Sequence, residues 1–353
     1  MRLKKVRIVG SGLIGTSIGL GLVARNISVE MVDIDPRAQK LAQDLIGAPT
    51  PEKADLTILA LPSSALSSVL NREYDLNPES KFIDIGSVKT KPVLDVERSQ
   101  IPTGRFCPTH PMAGREIGGA ESARGDLFAG RPWILCVQGV DADVVEAAKE
   151  LVELLGAKAF EVDVDEHDMA VALISHLPQM VASLLAKQLN AGQSKWLALA
   201  GSGLRDTTRI AESDPILWSE IISENREKVL PLLETFAEDL SEVISNLRGS
   251  ESTKTAIKKL IVDGNLGRSK IPGKHGGVAR DYTLLPVVIE DKPGQLGLLF
   301  TECDKARVNI EDLAIEHTPG QFTGLITLSL SATDAQTLYE HLLGCGWNVH
   351  TPR

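Results

Sequence analysis

Val6-Arg7-Ile8-Val9-Gly10-Ser11-Gly12-Leu13-Ile14-Gly15 is an apolar run that ends in a Gly-x-Gly-x-x-Gly turn. An apolar helical stretch follows, then the strand-like run Ser28 to Val32, then Asp33. The order strand, glycine turn, helix, strand, acid predicts a dinucleotide-binding βαβ unit. Gly10 permits the tight turn out of the first strand, Gly12 lets backbone approach a pyrophosphate, and Gly15 lets the helix pack against the sheet. The N–H groups that open the helix, from Leu13 and Ile14 onward, face the phosphates with the helix dipole behind them. Asp33 would accept from a ribose diol and repel a 2′-phosphate, which favours NAD over NADP, and Asp35 adds to the repulsion. The competing reading of Asp33 is a helix N-cap ahead of Pro36.

At 353 residues the chain is long enough for two or three domains, and 43% hydrophobic residues supply real cores. A net charge of −10 sets general repulsion against nucleic acid or an anionic membrane, so neither partner is expected. The four cysteines, Cys107, Cys136, Cys303 and Cys345, form no CxxC pair, which fits reduced thiols in a cytoplasmic protein and no metal site. The N-terminal Arg2, Lys4 and Lys5 precede an apolar stretch, but glycines placed for phosphate binding interrupt it. It reads as the start of a soluble chain, with no later apolar segment of membrane-spanning length.

Up to residue 165 short apolar runs alternate with helical patterns: Val6 to Val9, Ser28 to Val32, Leu56 to Leu61, Lys81 to Ile85, Phe106 with Cys107, Trp133 to Val137, and Ala157 to Val162. They predict an α/β fold of Rossmann type, a parallel sheet covered on both faces, spanning residues 1–165. Ligands in such sheets sit beyond the carboxyl ends of the strands. That rule selects Gly10 to Gly15, Leu61 with Pro62, Gly86-Ser87-Val88-Lys89, and Thr109-His110-Pro111.

Residues 166–250 read as an all-helical dimerisation domain. Met169, Leu173, Leu177, Met180 and Leu184 make one stripe, thickened by Ile174, Val181 and Leu185, of a helix buried on most sides. A second long helix starts with Asp214 as N-cap and Pro215 at its first position, and carries Trp218, Ile222, Val229, Leu233, Phe236, Leu240, Val243 and Leu247, with a kink at Pro231. Its seam calls for a partner surface, hence a homodimer. Residues 251–281 read as a linker with a short helix, Thr253 to Val262, and a basic piece from Gly267 to Gly277 that is either a solvated connector or a flap over an anion. Residues 282–353 follow a ferredoxin-like βαββαβ pattern, its middle strands joined by the turn Thr318 to Gln321.

Among seven histidines, two fall where this fold focuses chemistry. His110 follows a strand end, in Thr109-His110-Pro111-Met112-Ala113-Gly114-Arg115-Glu116, and stands as a general base or a structural loop histidine. His176, just before Leu177-Pro178, is either aimed at the cleft by a kink or buried in the core. Ser87 can bridge a substrate hydroxyl and the cofactor, or cap the next helix. Arg205 and Arg209, four apart beside Asp206, make either a carboxylate clamp with one guanidinium or a structural ion-pair cluster.

Gly10-x-Gly12-x-x-Gly15, Gly86-Ser87-Val88-Lys89, Thr109 to Gly114, Ser175-His176-Leu177-Pro178 and Leu204-Arg205-Asp206-Thr207-Thr208-Arg209-Ile210-Ala211 occur in the order and spacing of the prephenate dehydrogenases of tyrosine biosynthesis. Residues 5 to about 247 resemble that family. Asp291-Lys292-Pro293-Gly294-Gln295-Leu296, after the first strand of the last unit, resembles the loop of an ACT domain, an amino-acid-sensing module. The resemblance implies NAD as cofactor and oxidative decarboxylation of prephenate to 4-hydroxyphenylpyruvate. It implies His110 as the base, Ser87 orienting the hydroxyl, Arg209 holding a carboxylate, Glu116 as a gate, and Trp218 donated across the dimer. It also implies regulation by tyrosine through Asp291, Pro293, Gly294, Gln295 and Leu296. Where family members often carry a second histidine after His176 this chain has Gln179, which hydrogen-bonds but does not titrate, so substrate choice at that position stays open.

Arogenate is the rival substrate. Another two-domain hydroxyacid or imine dehydrogenase is a further reading, against which stands the absence of lysine from Ser175 to Pro178. A vestigial nucleotide fold serving as an amino-acid sensor is the third, opposed by the intact glycines, His110 and Arg209.

Overall fold

The computed structural model describes residues 3–47, 53–99, 101–115, 117–249, 253–271, 282–317 and 323–353. The chain forms two compact units, Met1–Leu240 and Ser241–Arg353.

The first unit opens with β1 (Lys5–Val9), α1 (Leu13–Val23), β2 (Ser28–Val32), α2 (Pro36–Ile46), β3 (Leu56–Leu59), α3 (Ser63–Leu76), β4 (Lys81–Asp84), α4 (Thr90–Glu97) and β5 (Phe106–Cys107). The strands make a parallel sheet in the order β2-β1-β3-β4-β5. β3 and β4 are buried at every residue, as expected of strands covered on both faces. Crossing from β1 to β3 beside β2 puts the glycine turn at the carboxyl edge where the strand order reverses.

The expected single parallel sheet does not continue to Val162. β6 (Thr109–Pro111), β7 (Pro132–Leu135), α5 (Ala142–Leu154) and β8 (Lys158–Glu161) form a second, three-stranded sheet, with β6 antiparallel to β7 and β7 parallel to β8. Pro108 is the physical reason: it brings no N–H to the ladder, so β5 ends after two residues and the chain starts a new strand. The buried Trp133 pins that strand, its Nε1 donating to Thr109 Oγ1 at 3.0 Å. β8 is solvent-exposed along its length, not sandwiched as its apolar sequence suggested.

The helical part begins with α6 (Val164–Val171), continues through a π-helical turn, Ala172–His176, into α7 (Leu177–Gln188), and adds α8 (Ser194–Leu197), α9 (Ser202–Thr208), α10 (Pro215–Glu224) and α11 (Arg226–Arg248). Pro178 accounts for the π turn, since its ring and missing N–H force the preceding turn to widen. The apolar stripe on this rod is not buried as expected. Leu173 is 54% exposed and Ile174 62%, with Met169, Leu184 and Leu185 also outward. The face turned inward mixes the polar His167, Asp168, His176 and Gln179 with the small or branched apolar Val171, Ala172 and Ala182. The rod Val164–Ala191 is long and apolar enough to cross a membrane, contrary to the sequence reading that no such segment follows the N-terminus. Its buried charged and imidazole groups, bonded to the nucleotide domain, give it another role here.

Asp214 caps α10 as expected, accepting from Ile216 N at 2.8 Å and Leu217 N at 3.2 Å. The second long helix is divided at Asn225 into α10 and α11, a break the sequence did not suggest, and Pro231 sits inside α11. Asn225 is buried, and its amide is committed to α6 and His176. The linker also differs from expectation: α12 (Thr253–Ser269) runs seven residues beyond Val262, through Gly264 and Gly267. The basic piece beyond Ile271 lies outside the described residues.

In the second unit β9 (Thr283–Glu290), α13 (Gln295–Lys305), β10 (Asp312–His317), β11 (Thr323–Leu330), α14 (Ala332–Gly344) and β12 (Asn348–Val349) follow the βαββαβ order. The sheet is antiparallel, in the order β10-β11-β9-β12. Leu285, Val287, Ile326 and Leu328 from the sheet pack against Leu299, Leu338 and Leu342 from the helices. The turn Thr318 to Gln321 lies outside the described residues.

Candidate active site

The carboxyl edge of the first sheet carries two features. The first is the glycine turn. Gly10 has φ +112°, and a Cβ there would stand 1.9 Å from the Ala60 carbonyl oxygen; a Cβ on Gly15 would meet Gly10 O at 2.1 Å. Both positions exclude a side chain for reasons of fold. Gly12 differs, since a Cβ there meets nothing within 4 Å. It faces open space, at the N-cap of α1, where the N–H groups of Leu13, Ile14 and Gly15 have no intrahelical acceptor. Among the described residues Ser11 Oγ is buried without a partner, a donor left over beside the same turn. Such a cradle suits a phosphate-bearing ligand.

Asp33 is not the cap of α2. Asp35 is, accepting from Arg37 N at 2.9 Å. Asp33 instead ties the end of β2 to the glycine turn, accepting from Ser11 N at 2.6 Å and Asp35 N at 2.9 Å, and retains acceptor capacity for a diol. Leu61 and Pro62 follow β3 on the same edge, with Pro62 as N-cap of α3.

The second feature is built on Asp84, the last residue of β4. Thr109 N donates to Asp84 Oδ1 at 3.1 Å and Thr109 Oγ1 to Asp84 O at 2.6 Å, which fixes the start of β6 and so His110 beside the sheet's edge. Lys89 is fully buried, its ammonium paired with the Asp84 carboxylate and donating to Thr109 O at 2.6 Å. His110 is partly exposed, with its Nδ1 2.9 Å from His167 Nε2. His167 is wholly buried, its Nδ1 2.8 Å from Asp168 Oδ1. Asp168 also accepts from Lys89 N and Thr90 N, each at 2.8 Å, and from Thr90 Oγ1 at 2.5 Å. A carboxylate of the helical domain therefore caps α4 of the nucleotide domain, so Ser87 does not; Ser87 Oγ bonds to no described residue.

Burial, then the Lys89 ammonium and the neighbouring His167 and His176, hold the His110 imidazole well below its ordinary value, against the opposing pull of Asp168. His110 is thus neutral near pH 7. Burial would raise the Asp168 carboxyl, but the hydrogen bonds from His167, Thr90 and the Lys89 amide outweigh it and leave the carboxyl below its ordinary range. Burial pushes His176 down to about 4. Cys107 and Cys136 are driven up to about 12 by burial, which makes both thiols unreactive.

His176 satisfies both readings offered for it, being buried and yet within this cluster. Asn225 Nδ2 donates to Asp168 O at 2.8 Å and lies 3.1 Å from His176 Nδ1. The ring therefore accepts at Nδ1 and keeps its proton at Nε2. Trp218 stands edge-on to His176 of its own chain, ring centroids 6.1 Å apart. Gln179 is buried one turn on and donates weakly to Ser183 Oγ at 3.4 Å. Arg209 lies exposed in the turn Arg209–Ala211, which packs against α7. Glu116 lies outside the described residues. His167, Asp168 and Asn225 escaped the sequence reading, although the polar triplet Glu166-His167-Asp168 at the head of an apolar rod was a usable signal, and Lys89 was selected there with its motif but given no role. Asp291, Pro293, Gly294, Gln295 and Leu296 belong to the second unit, at the β9–α13 turn, with Gly294 at φ +91° as the helix N-cap.

A nucleotide-binding sheet whose carboxyl edge meets a buried histidine cluster held by a helical domain defines a two-domain dehydrogenase. The family model described as prephenate dehydrogenase, nucleotide-binding domain, matches residues 23–161, and that of prephenate dehydrogenase, dimerization domain, matches residues 163–260. A prephenate dehydrogenase of Lactococcus lactis subsp. cremoris is 30% identical over 88% of this chain and 89% of its own length. Among solved structures, a prephenate dehydrogenase of Aquifex aeolicus in complex with hydroxyphenyl propionate and NAD+ aligns with a TM-score of 0.65 at 26% identity, covering 75% of this chain and 99% of that one. An arogenate dehydrogenase of Synechocystis gives 0.64 at 27% identity, again over 75% and 99%. The chain belongs to the prephenate dehydrogenase family.

Two predictions follow from this geometry. Gly12→Ala should fold with a stability change under about 1 kcal/mol yet weaken NAD binding at least about tenfold, about 1.4 kcal/mol, while Gly10→Ala should unfold the domain. Thermal melts with and without NAD separate the two; unchanged affinity in Gly12→Ala would contradict the cradle. Protonation of His110 should abolish its basicity only below the ordinary imidazole value of 6.5, so the acid limb of kcat/KM belongs below pH 6.5. A limb at or above that pH would count against a depressed His110.

Proposed function

We propose that the chain catalyses the NAD-dependent oxidative decarboxylation of prephenate to 4-hydroxyphenylpyruvate in tyrosine biosynthesis, as a cytoplasmic homodimer. The observation that carries this reading is a neutral histidine, His110, held at the carboxyl edge of a nucleotide-binding sheet by a buried polar cluster. Gly10, Gly12, Leu13, Ile14 and Gly15 would hold the pyrophosphate, Asp33 the ribose diol, and Leu61 with Pro62 the side of the cofactor. NAD, when bound, supplies the acceptor for the hydride that leaves ring C4 of the substrate. His110 accepts the C4 hydroxyl proton as the carbonyl develops, a role that needs the ring neutral. Cleavage of the C1–carboxylate bond then returns an electron pair to the ring, which aromatises with loss of carbon dioxide. The phenolic oxygen recovers the proton from His110, so the base is regenerated.

Ser87, partly exposed and bonded to no described residue, orients that hydroxyl. His176, with its proton on Nε2, and Arg209 would offer donors for substrate carboxylates, with Gln179 one turn on from His176, while the resemblance gives Glu116 as a gate on entry and Trp218 as a residue donated across the dimer. Arogenate is favoured as a second substrate by one feature: Gln179 hydrogen-bonds without carrying charge.

Dimerisation is supported by the match to the dimerization-domain model and by the outward apolar stripe from Met169 to Leu185. The domain division proposed is 1–165 for nucleotide, 166–250 for the helical domain, 251–281 for a connector that contains α12, and 282–353 for an ACT-like domain. In that last domain the exposed turn from Asp291 to Leu296 would bind tyrosine as a feedback regulator, which its βαββαβ order supports.

The full chain should form NADH from prephenate and NAD, with a lower kcat/KM for arogenate and for NADP, and His110→Asn should lose activity by about 10²–10⁴-fold. Absence of NADH with prephenate would overturn the assignment. Tyrosine should inhibit the same assay, and Asp291→Ala should relieve the inhibition at unchanged kcat; inhibition persisting undiminished would place tyrosine elsewhere.

A further inference from the structure

Neither His167 nor Asp168 has a role in the reading above, yet both are buried, hydrogen-bonded and continuous with His110. Asp168 is saturated with donors: two backbone N–H groups and a hydroxyl at the start of α4, and one imidazole nitrogen. An ionised carboxylate only accepts, so the nitrogen of His167 that faces it, Nδ1, carries a proton. In a neutral imidazole the other nitrogen, Nε2, is then the acceptor. Among the described residues the group presented to it is His110 Nδ1, at 2.9 Å, and that nitrogen must in turn be the donor. The unshared pair of His110 is left on Nε2, on the ring edge away from the buried pair.

We propose that His167 and Asp168 are positioning residues that fix the tautomer of His110, so that its Nε2 is the atom that takes the substrate's hydroxyl proton. This rests on the reading of His110 as the base. Without the pair a neutral His110 could place its proton on either nitrogen, and the wrong tautomer aims an N–H, not a lone pair, at the hydroxyl. When Nε2 gains its proton, the resulting imidazolium still donates from Nδ1 to His167, and the Asp168 carboxylate lies one ring further along to compensate the charge. The charged groups around His110 come from every element packed on it. Lys89 at the head of α4 is positive and paired to Asp84 of β4; Asp168 of α6 is negative; His167 of α6 and His176 of the π turn complete the set. Among the described residues no carboxylate is hydrogen-bonded to His110, so Asp168 acts on it through His167.

The placement of the relay also has a geometric consequence. Asp168 binds α4 of the nucleotide domain through its side chain and Asn225 of the helical domain through its carbonyl. The proton-accepting atom is therefore oriented by the same residue that fastens the two parts of the first unit together.

The test uses the full chain labelled with 15N-histidine, the His110 signals being assigned by their absence in His110→Asn. The relay predicts a protonated Nδ1 and an unprotonated Nε2 for His110 near pH 7. In His167→Phe, which keeps a buried ring but cannot accept, that preference should be lost. kcat with prephenate and NAD should then fall at least about 10²-fold, while KM for each changes less than about threefold. His167→Gln, which can accept from His110 and donate to Asp168, should recover most of the loss. A wild-type His110 with its proton on Nε2 overturns the proposal, as does a His167→Phe enzyme with wild-type kcat. If His167→Phe does not fold, the wild-type tautomer and the His167→Gln rates decide. Because the tautomer is read without substrate, a chain inactive on prephenate would refute the functional reading and leave the relay to be judged on its own spectrum.

Discussion

The carboxylate of Asp168 is the contact on which the site depends. It is buried, it carries charge, and it belongs to one domain while its donors belong to another. Breaking a buried, hydrogen-bonded charge typically costs about 3–5 kcal/mol, because the abandoned partner groups lose their solvation without compensation. The opening of α4 would be left with two unmet N–H groups and His167 with an unmatched proton. Fixation at this point holds the nucleotide and helical parts together where a single imidazole is given a defined direction.

A second buried pair supports the first. Lys89 and Asp84 sit behind β6, and together they hold Thr109 by backbone and side chain, so that the residue next in sequence, His110, has little freedom. Burial first, and then the nearby ammonium, keep that imidazole uncharged. Orientation from one side and burial with electrostatics from the other thus produce an imidazole that is both held and neutral. The cradle at Gly12 lies on the same sheet edge, at the end of β1, and the order β1-β3-β4 in the sheet puts the two features two strands apart along it.

Much of this was legible in the residues. The glycine turn announced itself because each glycine answers a separate steric demand, and two of the three demands are met by contacts under 2.2 Å. The βαββαβ order of the last unit was readable from alternation and turn chemistry. Three things were not. Pro108 looked like the end of a strand, when it is the point at which the sheet divides, since periodicity says where strands are and not which way they pair. Asn225 lay inside a good helical pattern, and only its tertiary partners reveal why the helix stops there. The rod from Val164 misled through its apolar stripe. Much of the stripe faces outward, as suits an assembly, while four polar side chains share the inward face with Val171, Ala172 and Ala182, so a rule that equates apolar with buried missed the geometry. His167 and Asp168 were hidden for the same cause, as ordinary polar residues near a helix start.

The most direct measurement is a crystal structure of the full chain with NAD and 4-hydroxyphenylpyruvate. The account predicts His110 Nε2 within hydrogen-bond reach, about 2.6–3.2 Å, of the phenolic oxygen, with Nδ1 still on His167. A phenolic oxygen bonded elsewhere, with His110 Nε2 turned away from it, would contradict it.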